Sequence, residues 1–335
     1  MMKAMILAAG FGTRLRPLTQ ALPKPMFPVM NRPLLEHTLG LLRANGIRDI
    51  TVNVHHLPEK IIRHFGDGAE FGVDLHFSRE KEILGTAGGI KAAQRFLDGG
   101  SFLVINSDVL VEIDLHRVLA YHKAKGSCLT LVVRKDASPE QFDPIEICPD
   151  GRIVHFVGAS SMDLPNHTTR VMFTGIQIME PEIFSRIPSG SFCGTAEDIF
   201  PEMIRDGLPV FGYLHEKYWI DLGNRRSYLQ AHKDALNGKL NLKGTNHRGG
   251  EEDSFIVPPA VLGRDCQIAS GARIGPYAVL GDGCRVKEGA VIENSVAWNG
   301  VTLGAGARVE DSILGEGVVI PGGSQVREQS LADTA

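Results

Sequence analysis

Met2-Lys-Ala-Met-Ile-Leu-Ala-Ala-Gly10 opens the chain, and Phe11-Gly-Thr-Arg-Leu-Arg-Pro-Leu-Thr19 follows without a break. An apolar run of this length, closed by glycine and then turning basic, reads as a buried strand feeding a loop. The pattern repeats downstream. Leu34 to Asn45 carries apolar residues at helical spacing and stops at Gly46. Asp49–Val54 is the next strand, and a helix follows from Glu59 to Phe65. Ser101–Asn106 is again strand-like, Leu115–Lys125 helical, and Cys128–Arg134 a strand. This β-α-β alternation predicts an α/β domain with a Rossmann-like, mostly parallel sheet, helices on both faces and ligands at the carboxyl ends of the strands.

The length of 335 residues suits two domains. Apolar residues at 43% and charged residues at 22% fit a packed globular protein. No window approaches the roughly 18 apolar residues a spanning helix needs, so no membrane partner is expected. The run from Met5 to Gly10 is too short for a secretory signal. With 35 basic and 39 acidic residues the net charge is −4, which argues against general nucleic-acid binding. The cysteines at 128, 148, 193, 266 and 284 are odd in number and lack any C-x-x-C spacing. They read as reduced packing residues of a cytoplasmic protein.

Composition changes along the chain. Residues 259–335 hold 13 of the 38 glycines, whereas all 12 histidines lie at or before His247. Leu236 to Asp253 is polar and glycine-containing, and reads as a linker. Beyond it the period becomes six: Leu262, Ile268, Ile274, Leu280, Val286 and Ile292. Ile292-Glu-Asn-Ser-Val then returns seventeen residues later as Val309-Glu-Asp-Ser-Ile, and Val326 lies seventeen beyond Val309. Two coils are therefore read as 6 + 5 + 6, with Ala297 and Leu314 at the shortened step. An inward aliphatic every six residues fits a triangular parallel β-helix, and small residues relieve its corners. The expected division is a catalytic domain over 1–235, a linker over 236–254 and a hexapeptide-repeat β-helix over 255–328.

In the first loop, Ala8, Ala9 and Gly10 let backbone approach a base or phosphate closely, Gly12 and Thr13 can present amides to phosphate oxygens, and Arg14 adds a fork of donors. No G-K-[ST] follows, so this is not a Walker loop, and the third glycine of the dinucleotide fingerprint is absent. Lys24 stands between Pro23 and Pro25, which predicts backbone extended on both sides and an aimed ammonium. Asp108 ends an apolar strand, Phe102 to Ile105, and Asp221 sits between Trp219-Ile220 and Leu222-Gly223. Carboxylates delivered by two strand ends can share one Mg²⁺, an ion that prefers oxygen ligands and bridges to phosphate.

Leu7 to Thr19, followed by Pro23-Lys-Pro-Met26 and Val29–Glu36, resembles the signature of the sugar-1-phosphate nucleotidylyltransferases. The resemblance continues through Leu84-Gly-Thr-Ala-Gly-Gly89, Asn106-Ser-Asp108, Phe173-Thr-Gly175, Trp219-Ile-Asp-Leu-Gly223 and the hexapeptide tail. The layout is most similar to mannose-1-phosphate guanylyltransferases, whose tail is a left-handed β-helix. This implies Mg²⁺-dependent transfer of a nucleotidyl group from a nucleoside triphosphate to a sugar 1-phosphate, releasing pyrophosphate. GTP with mannose 1-phosphate is the first pair, and UTP or dTTP with a glucose- or hexosamine-type 1-phosphate the alternative. Attack by an already anionic sugar-phosphate oxygen needs positioning and charge neutralisation rather than a covalent nucleophile.

By the same resemblance, Ala8 and Gly10 contact the base, Gly85 lies near base or ribose, Arg14 and Lys24 hold the triphosphate, and Asp108 and Asp221 ligate the metal. Gly175 and Glu197 touch the sugar hydroxyls, although Glu197 reads equally as an acidic charge in a first helical turn capped by Thr195. Many family members carry Glu-Lys-Pro after a Gly-Arg-Ile strand, and that lysine binds the sugar phosphate. Gly151 to Ser161 contains no lysine, which leaves Arg170 and Lys217 as replacement cations, a different acceptor sugar, or a regulatory subunit that binds nucleotide sugar without turnover. The tail lacks the histidine base of solenoid acyltransferases. Its open ends instead call for cover by the catalytic domain or a second copy, hence a homo-oligomer.

Overall fold

The computed structural model describes residues 2–135, 145–160, 167–242 and 255–333. Two compact units interleave along the chain. The first comprises Met1–Gly10 and Thr38–Trp219, and the second Phe11–His37 and Ile220–Ala335. Most of the expected linker lies outside the described residues; its first residue, Leu236, ends the helix Arg225–Leu236.

Among the described residues, the first unit is built on a sheet of ten strands. Its strands are β1 (Lys3–Leu7), β2 (Asp49–Val54), β3 (Asp74–Arg79), β4 (Phe102–Asn106), β5 (Leu129–Lys135), β6 (Ile145–Ile147), β7 (Ile153–Phe156), β8 (Ala159–Ser160), β9 (Thr169–Met179) and β10 (Val210–Leu214). β1 lies between β2 and β4 and is parallel to both, and β3 extends the sheet in parallel beyond β2. Ala4 to Ile6 and Phe102 to Ile105 are wholly buried, as continuous apolar runs in a parallel sheet covered on both faces should be.

The sheet is nevertheless mixed. β9 runs antiparallel to β4, β5 and β6, and only the β5–β10 pair restores parallel order on that side. An apolar run reads the same in either direction, so periodicity alone did not reveal this reversal. β9 is eleven residues long and its register against β5 shifts between Phe173 and Gln177. Gly175, at φ +80°, lies in that irregular stretch.

In the second unit, residues 255–331 form three parallel sheets, of five, five and four strands. The registers carry the expected arithmetic. Phe255, Arg273, Val291, Arg308 and Gln325 stack in one column, at steps of 18, 18, 17 and 17 residues. Ala297 and Leu314 pair directly, at the step predicted to be short. The shortened corners use Asn294 (φ 49°) and Asp311 (φ 47°), residue types that tolerate the left-handed region. Ser295 and Ser312, fully buried, complete the corner: Ser312 N donates to Ser295 Oγ and Gln329 N to Ser312 Oγ. Leu262, Ile268, Ile274, Leu280, Val286, Ile292, Val309, Leu314 and Ile320 fill the interior, each stabilising by about 1.5–3 kcal/mol against exposure. All five cysteines are free thiols, with Cys193 and Cys284 buried.

Helix Arg225–Leu236 begins on a capping box between Asn224 and Ser227. Its inner face buries Tyr228 and His232. Among the described residues neither ring nitrogen of His232 has a hydrogen-bond partner. Burial pushes its pKa down to about 3, opposed in part by the Pro28 carbonyl and reinforced by His37. An unfolded imidazole titrates near 6.5, so between about pH 6.5 and 3 the unfolded chain takes up a proton that the folded chain refuses. The stabilisation is complete above pH 6.5 and is lost at about 1.4 kcal/mol per pH unit as pH falls toward 3. Denaturant midpoints should therefore drop steeply below pH 6.5, and His232→Phe should flatten that slope. An equal slope in both proteins would contradict the assignment. His37 and His215, also pushed down by burial, add to the slope in the same direction.

Candidate active site

In the first unit the carboxyl ends of β1, β2 and β3 meet a buried polar network. Asn53, next to last in β2, accepts from the Ala8 amide at 2.8 Å and donates through Nδ2 to Glu80 Oε1 at 2.7 Å. The second oxygen of Glu80 accepts from the Leu84 amide at 3.0 Å. One carboxylate, buried to 7% exposure, thus ties the Ala8–Gly10 turn to the Leu84–Gly85 turn. These are the two segments expected to meet the base. Asn53 and Glu80 escaped sequence reasoning because each is a single polar residue at the end of a strand pattern. For Asn53 the signal available was a polar residue near the carboxyl end of a strand-like run; Glu80 gave none.

Gly85 opens the helix Gly85–Ala92, with the Cys193 carbonyl accepting from the amides of Ala87 and Gly88. Asp108 follows β4 and is half-buried, and the adjacent Ser107 amide donates to Leu7 O. On β9, a Cβ at Gly175 would come within 2.6 Å of Asn106 Nδ2. The positive φ and this approach together require glycine there, which brings residue 175 against the strand end that carries Asp108.

The remaining sugar-side candidates are more scattered. Glu197 is exposed in the turn Thr195–Ile199 that precedes the helix Phe200–Arg205. Gly194, not Thr195, is the N-cap residue, and Asp198 Oδ2 takes the Gly194 amide at 2.7 Å. The Thr195 hydroxyl is instead 2.9 Å from that of Thr86. Arg170 is exposed near the start of β9, in register with Glu146. Lys217 pairs with Glu112 at 2.9 Å, both side chains being largely exposed. An exposed pair of this kind is worth about 0.2–1 kcal/mol, so Lys217 is readily given up to a phosphate.

The basic loop belongs to the second unit. Lys24 is buried to 8% exposure. Its backbone differs from the extended form expected on both sides: Pro23 is extended, but Lys24 opens a 3-10 turn ending at Met26. Pro25 suits that turn, because its missing N–H falls where a turn leaves amides unpaired. Arg14 is exposed and Asp221 half-buried. A Cβ at residue 223 would stand 2.8 Å from Asp221 Oδ1 and 2.9 Å from both terminal nitrogens of Arg14. Gly223 therefore lets a guanidinium and a carboxylate flank one point, an arrangement suited to a phosphate with its cation.

Among the described residues, no group of three or more His, Cys, Asp or Glu side chains could hold a metal by itself. A hard cation there would draw its other ligands from water and substrate phosphate, which is how Mg²⁺ is usually bound. Asp108 in the first unit and Asp221 in the second each carry the hard oxygen donors that such an ion takes. No helix among the described residues is long and apolar enough to cross a membrane.

Residues 3–238 match the protein family described as nucleotidyl transferase, and residues 256–334 match the GMPPB C-terminal domain. A UTP–glucose-1-phosphate uridylyltransferase of Synechocystis is 33% identical over 331 residues, covering 90% of this chain and 84% of its own length. A mannose-1-phosphate guanylyltransferase of Mycobacterium tuberculosis is 32% identical over 280 residues, covering 82% of this chain and 76% of its own. Among solved structures, HddC from Yersinia pseudotuberculosis complexed with GMP-PN superposes with a TM-score of 0.58 at 25% identity. That likeness covers 69% of this chain and 98% of the other.

The Glu80 network makes a prediction independent of activity. Glu80→Ala leaves Asn53 Nδ2 and the Leu84 amide buried without an acceptor, at about 1–3 kcal/mol each. Denaturant unfolding should show a loss of about 2–6 kcal/mol, with a clearly smaller loss for Glu80→Gln, which keeps one acceptor oxygen. Equal losses in the two variants would mean that the hydrogen bonds contribute little.

Proposed function

The chain belongs to the nucleotidyl transferase family, and on that premise we propose that it joins a nucleoside triphosphate to a sugar 1-phosphate, releasing pyrophosphate. GTP with mannose 1-phosphate is the first pair. The matching C-terminal domain and the guanylyltransferase relatives support it. The uridylyltransferase relative, which covers more of the chain, favours UTP with glucose 1-phosphate as the second. The observation that carries the reading is the meeting of Arg14 and Asp221 at Gly223, beside a loop whose one lysine is buried.

The chemistry follows from charge. A sugar-phosphate oxygen, anionic near neutral pH, attacks the α-phosphorus in line, and the bond to pyrophosphate breaks. Arg14 and Lys24 neutralise the triphosphate, and burial of Lys24 keeps its charge from being screened by water. Ala8, Ala9 and Gly10 offer backbone to the base, Gly12 and Thr13 offer amides to phosphate, and Gly85 flanks base or ribose. Asp108 and Asp221 are the proposed ligands of Mg²⁺, which supplies charge neutralisation to the phosphates when bound. Gly175 and Glu197 face the sugar, with Arg170 or Lys217 in place of the absent Glu-Lys-Pro lysine. The chemistry is assigned to residues 1–235. The same proposal puts the enzyme in the cytoplasm as a homo-oligomer.

A panel of four triphosphates against several sugar 1-phosphates, read by pyrophosphate release with Mg²⁺, should reveal one preferred pair. A chelator should abolish the signal, and Asp108→Asn or Asp221→Asn should lower turnover by about 10²–10³. Unchanged turnover in both variants would remove the metal assignment. Gly223→Ala should lower turnover about a hundredfold by forcing Arg14 and Asp221 apart, with the thermal midpoint near that of the parent. Full activity in Gly223→Ala would show that their apposition is incidental.

A further inference from the structure

The solenoid repeats one rule at the corner where its second sheet ends. Gly263, Gly281 and Gly315 follow the inward residues Leu262, Leu280 and Leu314, which stack in register through Ala297. At the equivalent place in the third coil stands Trp298, only 3% exposed. A buried tryptophan in a column held elsewhere by glycine or, after Leu331, by Ala332 serves something outside the repeat. Trp298 is itself well fixed, since its amide donates to Leu314 O at 2.8 Å and its carbonyl accepts from the Cys284 thiol.

What it meets is the basic loop. The Phe27 ring packs edge-on against Trp298, with centroids 4.7 Å apart, and against Tyr228 at 6.1 Å. Trp298 Nε1 donates to the Tyr228 hydroxyl at 3.1 Å, and that hydroxyl donates to the Pro28 carbonyl. Burial pushes the phenol far above its ordinary range, so it remains a donor wherever the protein is folded. The loop also lies along the glycine column. Asn31 Nδ2 donates to Leu280 O at 2.8 Å, and Leu18 Cδ2 stands 3.1 Å from where a Cβ of Gly315 would be. Phe27 in turn closes the turn of Lys24, its amide donating to Lys24 O at 3.0 Å.

We propose that Trp298 and Tyr228 are positioning residues for nucleotidyl transfer: their hydrogen bond fixes Phe27 and Pro28, and through the Lys24–Met26 turn it aims the Lys24 ammonium. The solenoid is then a platform for the loop that grips the triphosphate. This inference rests on the assignment of Lys24 to the triphosphate made above. A purely structural role for the two aromatics makes a different forecast: it lowers stability without selecting one substrate.

The test compares Tyr228→Phe, Trp298→Phe and their double variant in the full chain, with Val286→Ala as a solenoid-core control. Each aromatic variant should raise KM for the triphosphate about threefold to tenfold, the equivalent of one buried hydrogen bond. KM for the sugar 1-phosphate should stay within about twofold. The double variant should be little worse than Tyr228→Phe, which already removes the bond from Trp298 together with the one to Pro28. Val286→Ala should lower the thermal midpoint and leave both constants alone. Unchanged triphosphate KM in the aromatic variants, or an equal rise in Val286→Ala, overturns the proposal. Hydrogen exchange at the Phe27 and Leu34 amides separates this from failure of the functional reading. If the parent turns over no pair, that reading falls. Faster exchange in Tyr228→Phe and Trp298→Phe then still supports the anchoring, and unchanged exchange overturns it.

Discussion

Between Phe11 and Pro33 no helix or strand exceeds four residues, yet this stretch carries Arg14 and Lys24. Holding each residue of such a loop in one conformation costs about 1–2 kcal/mol, and so short a run of regular structure does little to offset it. The cations can be aimed only if other parts of the protein fix the loop. That constraint makes sense of the second unit, in which Phe11–His37 groups with the helix Arg225–Leu236 and the solenoid. It also accounts for a tryptophan in a glycine column and a buried tyrosine whose hydroxyl both gives and takes a hydrogen bond.

The first unit solves a similar problem by different means. Its two candidate base-binding turns follow β1 and precede the helix Gly85–Ala92, far apart in sequence, and the buried carboxylate of Glu80 bonds through Asn53 to one and directly to the other. A carboxyl group offers two oxygens, so one side chain can satisfy two buried donors at once. Each such bond is conditional, because the same group becomes costly when a partner is lost. Rigid backbone at a binding turn is therefore maintained by side chains that need never touch a ligand.

Much of this was legible in the sequence wherever the signal repeats or is contiguous. The six-residue period identified the solenoid, and the repeated Glu-Asn-Ser and Glu-Asp-Ser phrases located the shortened corners, because asparagine, aspartate and serine are what a tight left-handed corner requires. The basic loop was legible as a motif, as was the strand end at Asp108. What escaped was the long-range part. Antiparallel β9 carries the same apolar signature as a parallel strand. Glu80 and Asn53 are isolated polar residues whose partnership exists only once two strands are neighbours. Phe27, Tyr228 and Trp298 are separated by up to about 270 positions, and only the break in the glycine column hinted at their meeting. The backbone at Lys24 was misread locally, since two flanking prolines permit a 3-10 turn as well as an extended chain.

The proposed reaction passes a nucleotidyl group between pyrophosphate and a sugar 1-phosphate by charge positioning, without a covalent intermediate. Such a reaction runs readily in both directions, which gives it a direct test. Incubation of the full chain with Mg²⁺, pyrophosphate and a nucleotide sugar, beginning with GDP-mannose, should yield triphosphate and sugar 1-phosphate in equal amounts by ³¹P NMR. Saturable binding of nucleotide sugars with no triphosphate formed from any of them would contradict the account.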